Sequence, residues 1–151
     1  MSDADDILRT AESILLVDWP SVDVPETLTR AGYTVYVKGG PGPSDYSVRE
    51  LRDGEVVSSR VGRPPARADL VYSFRPVSDL PGIIDIARQV GAVAVWQQSG
   101  RDSSGAEDRR GCWMPEADSR AARGLVEAAG LRYVDAAYIA DTARQIGSRD
   151  R

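Results

Sequence analysis

The sequence predicts an α/β protein built as a three-layer, doubly wound sheet of five parallel strands in order 3-2-1-4-5, with an added hairpin. Three observations predict it. Short, all-apolar runs such as Ile14–Val17 and Ala92–Trp96 suit strands buried on both faces, as parallel strands are. The sequence helix, glycine, strand recurs as Ala31-Gly32-Tyr33, Val90-Gly91-Ala92 and Ala129-Gly130-Leu131. Helical patterns alternate with the strands at the spacing of βαβ crossovers.

Residues 4–12 place Ile7, Leu8 and Ala11 at helical spacing, an amphipathic N-terminal helix within 1–12 that packs on the sheet edge. Strand one, Ile14–Val17, runs into Asp18-Trp19-Pro20-Ser21. The stripe Val24, Leu28, Ala31 marks the helix that follows and stops at Gly32. Strand two is Tyr33–Val37, and Lys38-Gly39-Gly40-Pro41-Gly42-Pro43 is a loop by composition. Tyr46 to Arg60 alternates around Asp53-Gly54, a strong hairpin signal, although Ser47–Arg52 also fits a helical turn.

Asp69–Phe74 is the third strand, with Ser78 a natural N-cap for a helix carrying Leu80, Ile83, Ile84, Ala87 and Val90 on one face. Strand four leads into Gln97-Gln98-Ser99-Gly100. Residues 101–113 are polar and aperiodic, which reads as a mobile loop. Pro115-Glu116 opens a helix with Ala121, Ala122, Leu125, Val126 and Ala129 inward. Leu131–Val134 is the fifth strand, Ile139, Ala143 and Ile146 mark the last helix, and 147–151 should fray.

The totals exclude several classes of function. The 151 residues make one domain, 1–151, of ordinary globular composition, 42% hydrophobic and 28% charged. With a net charge of −4 and no basic run, a nucleic-acid partner is not expected. No apolar run is long enough to cross a bilayer and the acidic start lacks the marks of a signal peptide, which predicts a cytoplasmic protein with no membrane partner. There is one cysteine, Cys112, and no histidine, so an intrachain disulfide, a histidine-based triad and a histidine-containing zinc site are all ruled out. Residues 38–75, with seven bases against five acids, form the one segment of positive balance, where an anionic ligand would be met.

Two segments carry a family resemblance: Ala68-Asp69-Leu70-Val71-Tyr72-Ser73-Phe74-Arg75-Pro76, and Ala94-Val95-Trp96-Gln97-Gln98-Ser99-Gly100. They resemble a valine-rich strand ending in Phe-Arg-(Arg)-Pro and a Leu-Trp-x-Gln-x-Gly strand of the small stand-alone CoA-binding domain proteins of bacteria. Those proteins have a Rossmann-like fold similar to the CoA-binding domain of succinyl-CoA synthetase. Glu127-Ala128-Ala129-Gly130-Leu131 matches as well, and the resemblance runs from Asp5 to about Ile146, apart from 101–113. It implies CoA, an acyl-CoA or a related adenine nucleotide along the carboxyl edge of the sheet. The pyrophosphate would face Asp18 to Val24, with Asp18, Trp19 and Ser21 in contact. The adenine end would approach Val37 and Lys38, and Phe74, Arg75, Pro76, Gln98, Ser99 and Gly100 would line the rest.

The chemistry of individual residues cuts both ways. Arg75 can grip a phosphate bidentately, or tie two loops together through Asp18 or Asp79. Lys38 is either a phosphate contact or a solvated loop residue. Where the family has a small-residue turn, this chain has Trp19, Pro20 and Pro25, with Asp18, Asp23 and Glu26 adding three negative charges. Each acid within about 5 Å of a phosphate opposes it by roughly 1–3 kcal/mol, so the acidic, glycine-free turn weakens the case for CoA.

Two readings follow, a non-enzymatic ligand-binding domain for CoA and a diverged family member that acts as a protein-interaction or regulatory domain through Trp19 and Trp113. An enzyme using Asp18, Asp135 and Tyr138 as an acid–base cluster ranks below both, because no nucleophile or metal set joins them.

Overall fold

A computed structural model describes residues 3–147. The predicted helices and strands form in the predicted sequence positions. They are α1 (Asp3–Thr10), β1 (Ser13–Leu16), α2 (Asp23–Arg30), β2 (Thr34–Lys38), β3 (Tyr46–Arg52), β4 (Glu55–Arg60) and β5 (Leu70–Ser73). A 3₁₀ turn (Val77–Asp79) then leads into α3 (Leu80–Gln89), β6 (Ala94–Gln97), α4 (Glu116–Ala128), β7 (Arg132–Val134) and α5 (Ile139–Ile146). Beyond Gly147, the expected frayed tail lies outside the described residues.

The strands make one seven-stranded sheet in the order β4-β3-β2-β1-β5-β6-β7, parallel throughout except for the hairpin. Successive side chains of a strand point to opposite faces. Accordingly Ile14, Leu16, Tyr72 and Trp96 pack with α1, α2 and α5, while Leu15, Val71, Val95 and Tyr133 pack with α3 and α4. Burial on both faces is what the continuous apolar runs require, and the three-layer Rossmann-like class is as expected.

The strand order is not. Numbering only the five parallel strands, it is 2-1-3-4-5 rather than 3-2-1-4-5. The hairpin supplies the reason: β3 pairs antiparallel along the outer edge of β2, with Val35 opposite Arg49 and Val37 opposite Ser47. That edge is therefore filled, and β5 docks on the free side of β1, with Leu15 opposite Val71. Both arms of the hairpin are strands, so Ser47–Arg52 is not a helical turn. Asp53 (φ 52°) and Gly54 (φ 80°) are both left-handed, the geometry of a two-residue hairpin turn that matches strand twist.

Smaller departures have local causes. Ser78 does not cap α3, because it lies inside the 3₁₀ turn and Asp79 occupies the cap position without a side-chain bond. On α4 only Ala122 and Val126 of the expected stripe are buried, and Leu125 is 49% exposed, since the helix covers the narrow end of the sheet beside three-residue β7. Val93 precedes β6 rather than forming part of it and is exposed.

Candidate functional site at the carboxyl edge

β2, reached from β1 through α2, and β5, reached from the hairpin, flank β1 on opposite sides, and a crevice opens beyond the carboxyl ends of these three strands. It encloses about 580 Å³ and is lined by Val17, Asp18 and Trp19 after β1, Lys38 to Pro41 after β2, and Arg75 after β5. The corrected strand order matters here, because it puts the Phe74-Arg75 exit directly beside the first turn.

Two cations face this crevice from strand ends. The Lys38 ammonium donates to the Gly40 carbonyl at 2.6 Å and stands 5.7 Å from the centre of the Tyr46 ring. Its loop closes around Asp45, whose carboxylate accepts from the Gly42 amide at 2.8 Å and whose carbonyl accepts from Gly39 at 2.7 Å. A Cβ on Gly40 or Gly42 would stand 2.7 Å from that carboxylate and would displace it. Arg75 donates from Nε to Asp79 at 2.9 Å, and its Nη1 lies 3.8 Å from the Asp18 carboxylate. The structural role considered for Arg75 is thus present, on a side chain that remains half exposed.

The acids of the first turn are largely answered within the protein. Arg144 donates to Asp23, which also accepts the Thr27 hydroxyl at 3.0 Å. Arg30 pairs with Glu26 at 2.6 Å, and Asp18 accepts the amide of Trp19 at 2.9 Å. Trp19 is half buried against the core rather than projecting, and Ser21 shares a hydrogen bond of 3.3 Å with the Tyr138 hydroxyl.

The other residues named from the sequence separate into wall and brace. Phe74, Arg75, Pro76, Gln97 and Gln98 line a second cavity of about 290 Å³ closed by residues 112–115. Ser21 and Phe74 line a third, of about 280 Å³, with Arg109 to Cys112. Val37, by contrast, points into the core. The Gln98 side chain is a buried clamp: Oε1 accepts from the Tyr72 hydroxyl at 2.9 Å and the Ile139 amide at 3.3 Å, and Nε2 donates to the carbonyls of Ser99 and Ala137. Ser99 donates to the Asp135 carbonyl and is buried. Gly100 is pressed against the backbone of Trp113, where a Cβ would meet the amide nitrogen at 2.6 Å.

Residues 101–113 carry their own bonds. Asp102 accepts from the amides of Ser104 and Ala106, and Arg101 donates to the Met114 carbonyl at 2.7 Å while stacking on Trp113. Arg110 bridges Asp108 and Asp141 over the Tyr138 ring, 4.0 Å from its centre. Its hydrogen bonds hold both carboxyls below their usual value.

Asp18, Asp135 and Tyr138 do not form one cluster. The buried Asp135 carboxylate accepts from the Tyr133 hydroxyl at 2.9 Å and from Ser119, whereas Tyr138 turns to Ser21. Burial, then the Asp135 charge, pushes the Tyr133 phenol well above its ordinary value, so it stays a neutral donor. Among the described residues no set of three or more cysteine, aspartate or glutamate side chains could hold a metal ion.

Sequence reasoning did not place at the cavities the wall residues Val17, Gly39, Gly40, Pro41, Val77, Cys112, Met114, Pro115 and Asp118, and it named Trp113 only as a partner anchor. For the first group a signal was available: Gly-Gly-Pro-Gly directly after a strand, at the edge where such sheets bind ligands. For Cys112 and Trp113 there was none, because only the fold brings 112–115 back over the β5 and β6 exits.

Comparison with known proteins agrees with this architecture. A solved structure from Thermus thermophilus, described as cell-free ID.343, is 21% identical, covers 97% of this chain and 99% of its own, and superposes with a TM-score of 0.57, a likeness of fold. No curated protein sequence matches significantly. The family model described as the CoA binding domain matches residues 17–142, which span β1's exit, all three cavities and α5's first turn, and the chain belongs to that family.

Proposed function

We propose that the protein is a non-enzymatic binding domain for CoA or an acyl-CoA, held along the carboxyl edge. The observation that carries this reading is the crevice of about 580 Å³ beyond the carboxyl ends of β1, β2 and β5, with Lys38 and Arg75 at its walls. Lys38 ends β2, Arg75 lies two residues past β5 with its amide bonded to the Ser73 hydroxyl, and both side chains can turn from an internal partner to a phosphate. Asp23 and Glu26, which oppose a pyrophosphate on charge alone, are ion-paired with Arg144 and Arg30, so their repulsion is reduced. The 580 Å³ crevice is lined by no cysteine, and among the described residues no group of three or more cysteines or acids could hold a metal ion, which favours binding over catalysis.

A second reading, loss of CoA binding in favour of a protein partner, draws on the Asp18 carboxylate left in the crevice and on Trp113, 53% exposed. Calorimetry with CoA, acetyl-CoA, ATP and NAD separates the two. The ligand reading expects CoA to bind tighter than millimolar, a free energy beyond about −4 kcal/mol. No binding of any of the four at millimolar concentration overturns it.

A further inference from the structure

The seven-stranded sheet ends in two edge strands, and they are not alike. At one end β7 is three residues long, and its first residue, Arg132, is tied to α1 through Asp3 at 2.9 Å and Asp6 at 2.7 Å. Shortness and charge are ordinary ways of blunting an edge against other chains. At the other end β4 runs for six residues, Glu-Val-Val-Ser-Ser-Arg, with neither proline nor lysine. Its pairing with β3 is unbroken from Arg52 opposite Glu55 to Ser47 opposite Arg60, so no bulge turns this edge aside. The hairpin geometry says which backbone groups face outward. A two-residue turn makes Arg52 and Glu55 a hydrogen-bonded pair, and along antiparallel strands such pairs alternate with unbonded ones. Glu55, Val57 and Ser59 therefore bond to β3, in step with Val61, whose amide donates to the Tyr46 carbonyl at 2.9 Å. Val56, Ser58 and Arg60 turn their amides and carbonyls away from the sheet, and no backbone group elsewhere among the described residues bonds to them. Charge along the edge is sorted by end, with Asp53 and Glu55 at the turn, Arg60 and Arg63 at the far end, and none between.

We propose that β4 is the surface through which two copies of this chain pair, antiparallel, about a two-fold axis at Ser58. Ser58 then faces the partner's Ser58, and Val56 faces the partner's Arg60 on either side of the axis. This is the one centre at which all three outward-facing residues meet outward-facing mates within the strand, so every open amide and carbonyl of both edges is bonded. Charge selects the same direction. Two edges running the same way would set acid beside acid and base beside base, whereas running opposite ways each acidic end lies beside a basic one. Because β4 runs parallel to β2, the second copy is turned end for end. The two crevices open at opposite ends of one continuous sheet, so pairing covers neither of them and does not depend on a ligand.

The test uses the full chain, with sedimentation velocity over a concentration series and amide hydrogen exchange read by NMR at its two ends. The expected result is a monomer–dimer equilibrium with a dissociation constant below about 1 mM. As the dimer fills, the amides of Val56, Ser58 and Arg60 should exchange at least about tenfold more slowly, while those of Val57, Ser59 and Val61 are protected throughout. Ser58→Lys sets two like charges face to face on the axis and should leave a monomer. Ser58→Pro removes an outward N–H that β3 does not use and should do the same. If Ser58→Pro does not fold, Ser58→Lys carries the test, since an exposed edge position accepts lysine. A chain that stays monomeric up to about millimolar concentration overturns the proposal. So does a dimer that survives Ser58→Lys, or one in which Val56, Ser58 and Arg60 gain no protection.

Discussion

At the β1–β2 side of the carboxyl edge the strands end in half-exposed turns that leave about 580 Å³ open, whereas past the smaller cavity at Gln97 the chain leaving β6 is buried at Gln98 and Ser99 and covered by the protein's own residues. On the open side the polar groups are charged and hold partners that they can exchange, Arg75 with Asp79 and Lys38 with the Gly40 carbonyl. On the filled side the Gln98 amide is neutral, buried and fully committed, making four hydrogen bonds to four different residues. One half of the edge is therefore open, with partners that can be exchanged, and the other is closed by its own hydrogen bonds. Substitutions on the two sides should show up in different measurements.

The largest effect is expected on the filled side. In Gly111→Ala the new Cβ would stand 2.1 Å from the Ser99 carbonyl oxygen, a backbone atom that cannot yield alone. A loss of about 3–5 kcal/mol in denaturant unfolding is expected, at the upper end for single changes. Gln98→Leu keeps the size of the side chain but strands the Tyr72 hydroxyl, the Ile139 amide and two carbonyls. It should cost about 2–3 kcal/mol of stability, and a smaller loss than 1 kcal/mol would mean that the clamp is not what closes this half.

On the open side Arg75→Ala should leave stability within about 0.5 kcal/mol, since its ion pairs are half exposed. CoA affinity should fall roughly tenfold, about 1.4 kcal/mol, by calorimetry. Unchanged affinity with lowered stability would make Arg75 a brace and dissolve the contrast.

The smallest effect concerns acid. Asp108 and Asp141 titrate below their ordinary 3.8 in the folded protein because Arg110 hydrogen-bonds both. A depressed folded value gives stability that is complete above the unfolded value and lost as pH falls through the folded one. Below pH 4, Arg110→Ala should therefore lose less stability on further acidification than the parent chain, by under about 1 kcal/mol given the exposure of the pair.

Much of the scaffold was legible because it depends on local pattern: apolar runs of four, glycines after helices, and Asp-Gly between alternating arms. Strand order was not, because it turns on which edge of β2 is free, and only the docked hairpin decides that. The site divides in the same way. Lys38 and Arg75 were legible as residues of the carboxyl edge because one ends β2 and the other lies two residues past β5, and both line the crevice there. Ser99 and Gly100 look like a binding loop in sequence, yet their side of the chain is covered by residues 111–113, twelve positions away and without periodicity. The charge argument against the first turn was sound for the isolated segment and incomplete for the fold, since Arg144, which answers Asp23, arrives from the last helix.

The Arg75–Asp79 pair has a consequence for how salt acts on the site. A lone arginine carries loosely held counterions, and a phosphate that displaces them binds more weakly as salt is added. Arg75 instead carries a counterion built into the chain, four residues downstream. An incoming phosphate trades places with that carboxylate, and few mobile ions are released. Salt weakens the old pair along with the new one, so the site's grip on an anion should vary little between dilute buffer and the ionic strength of a cell.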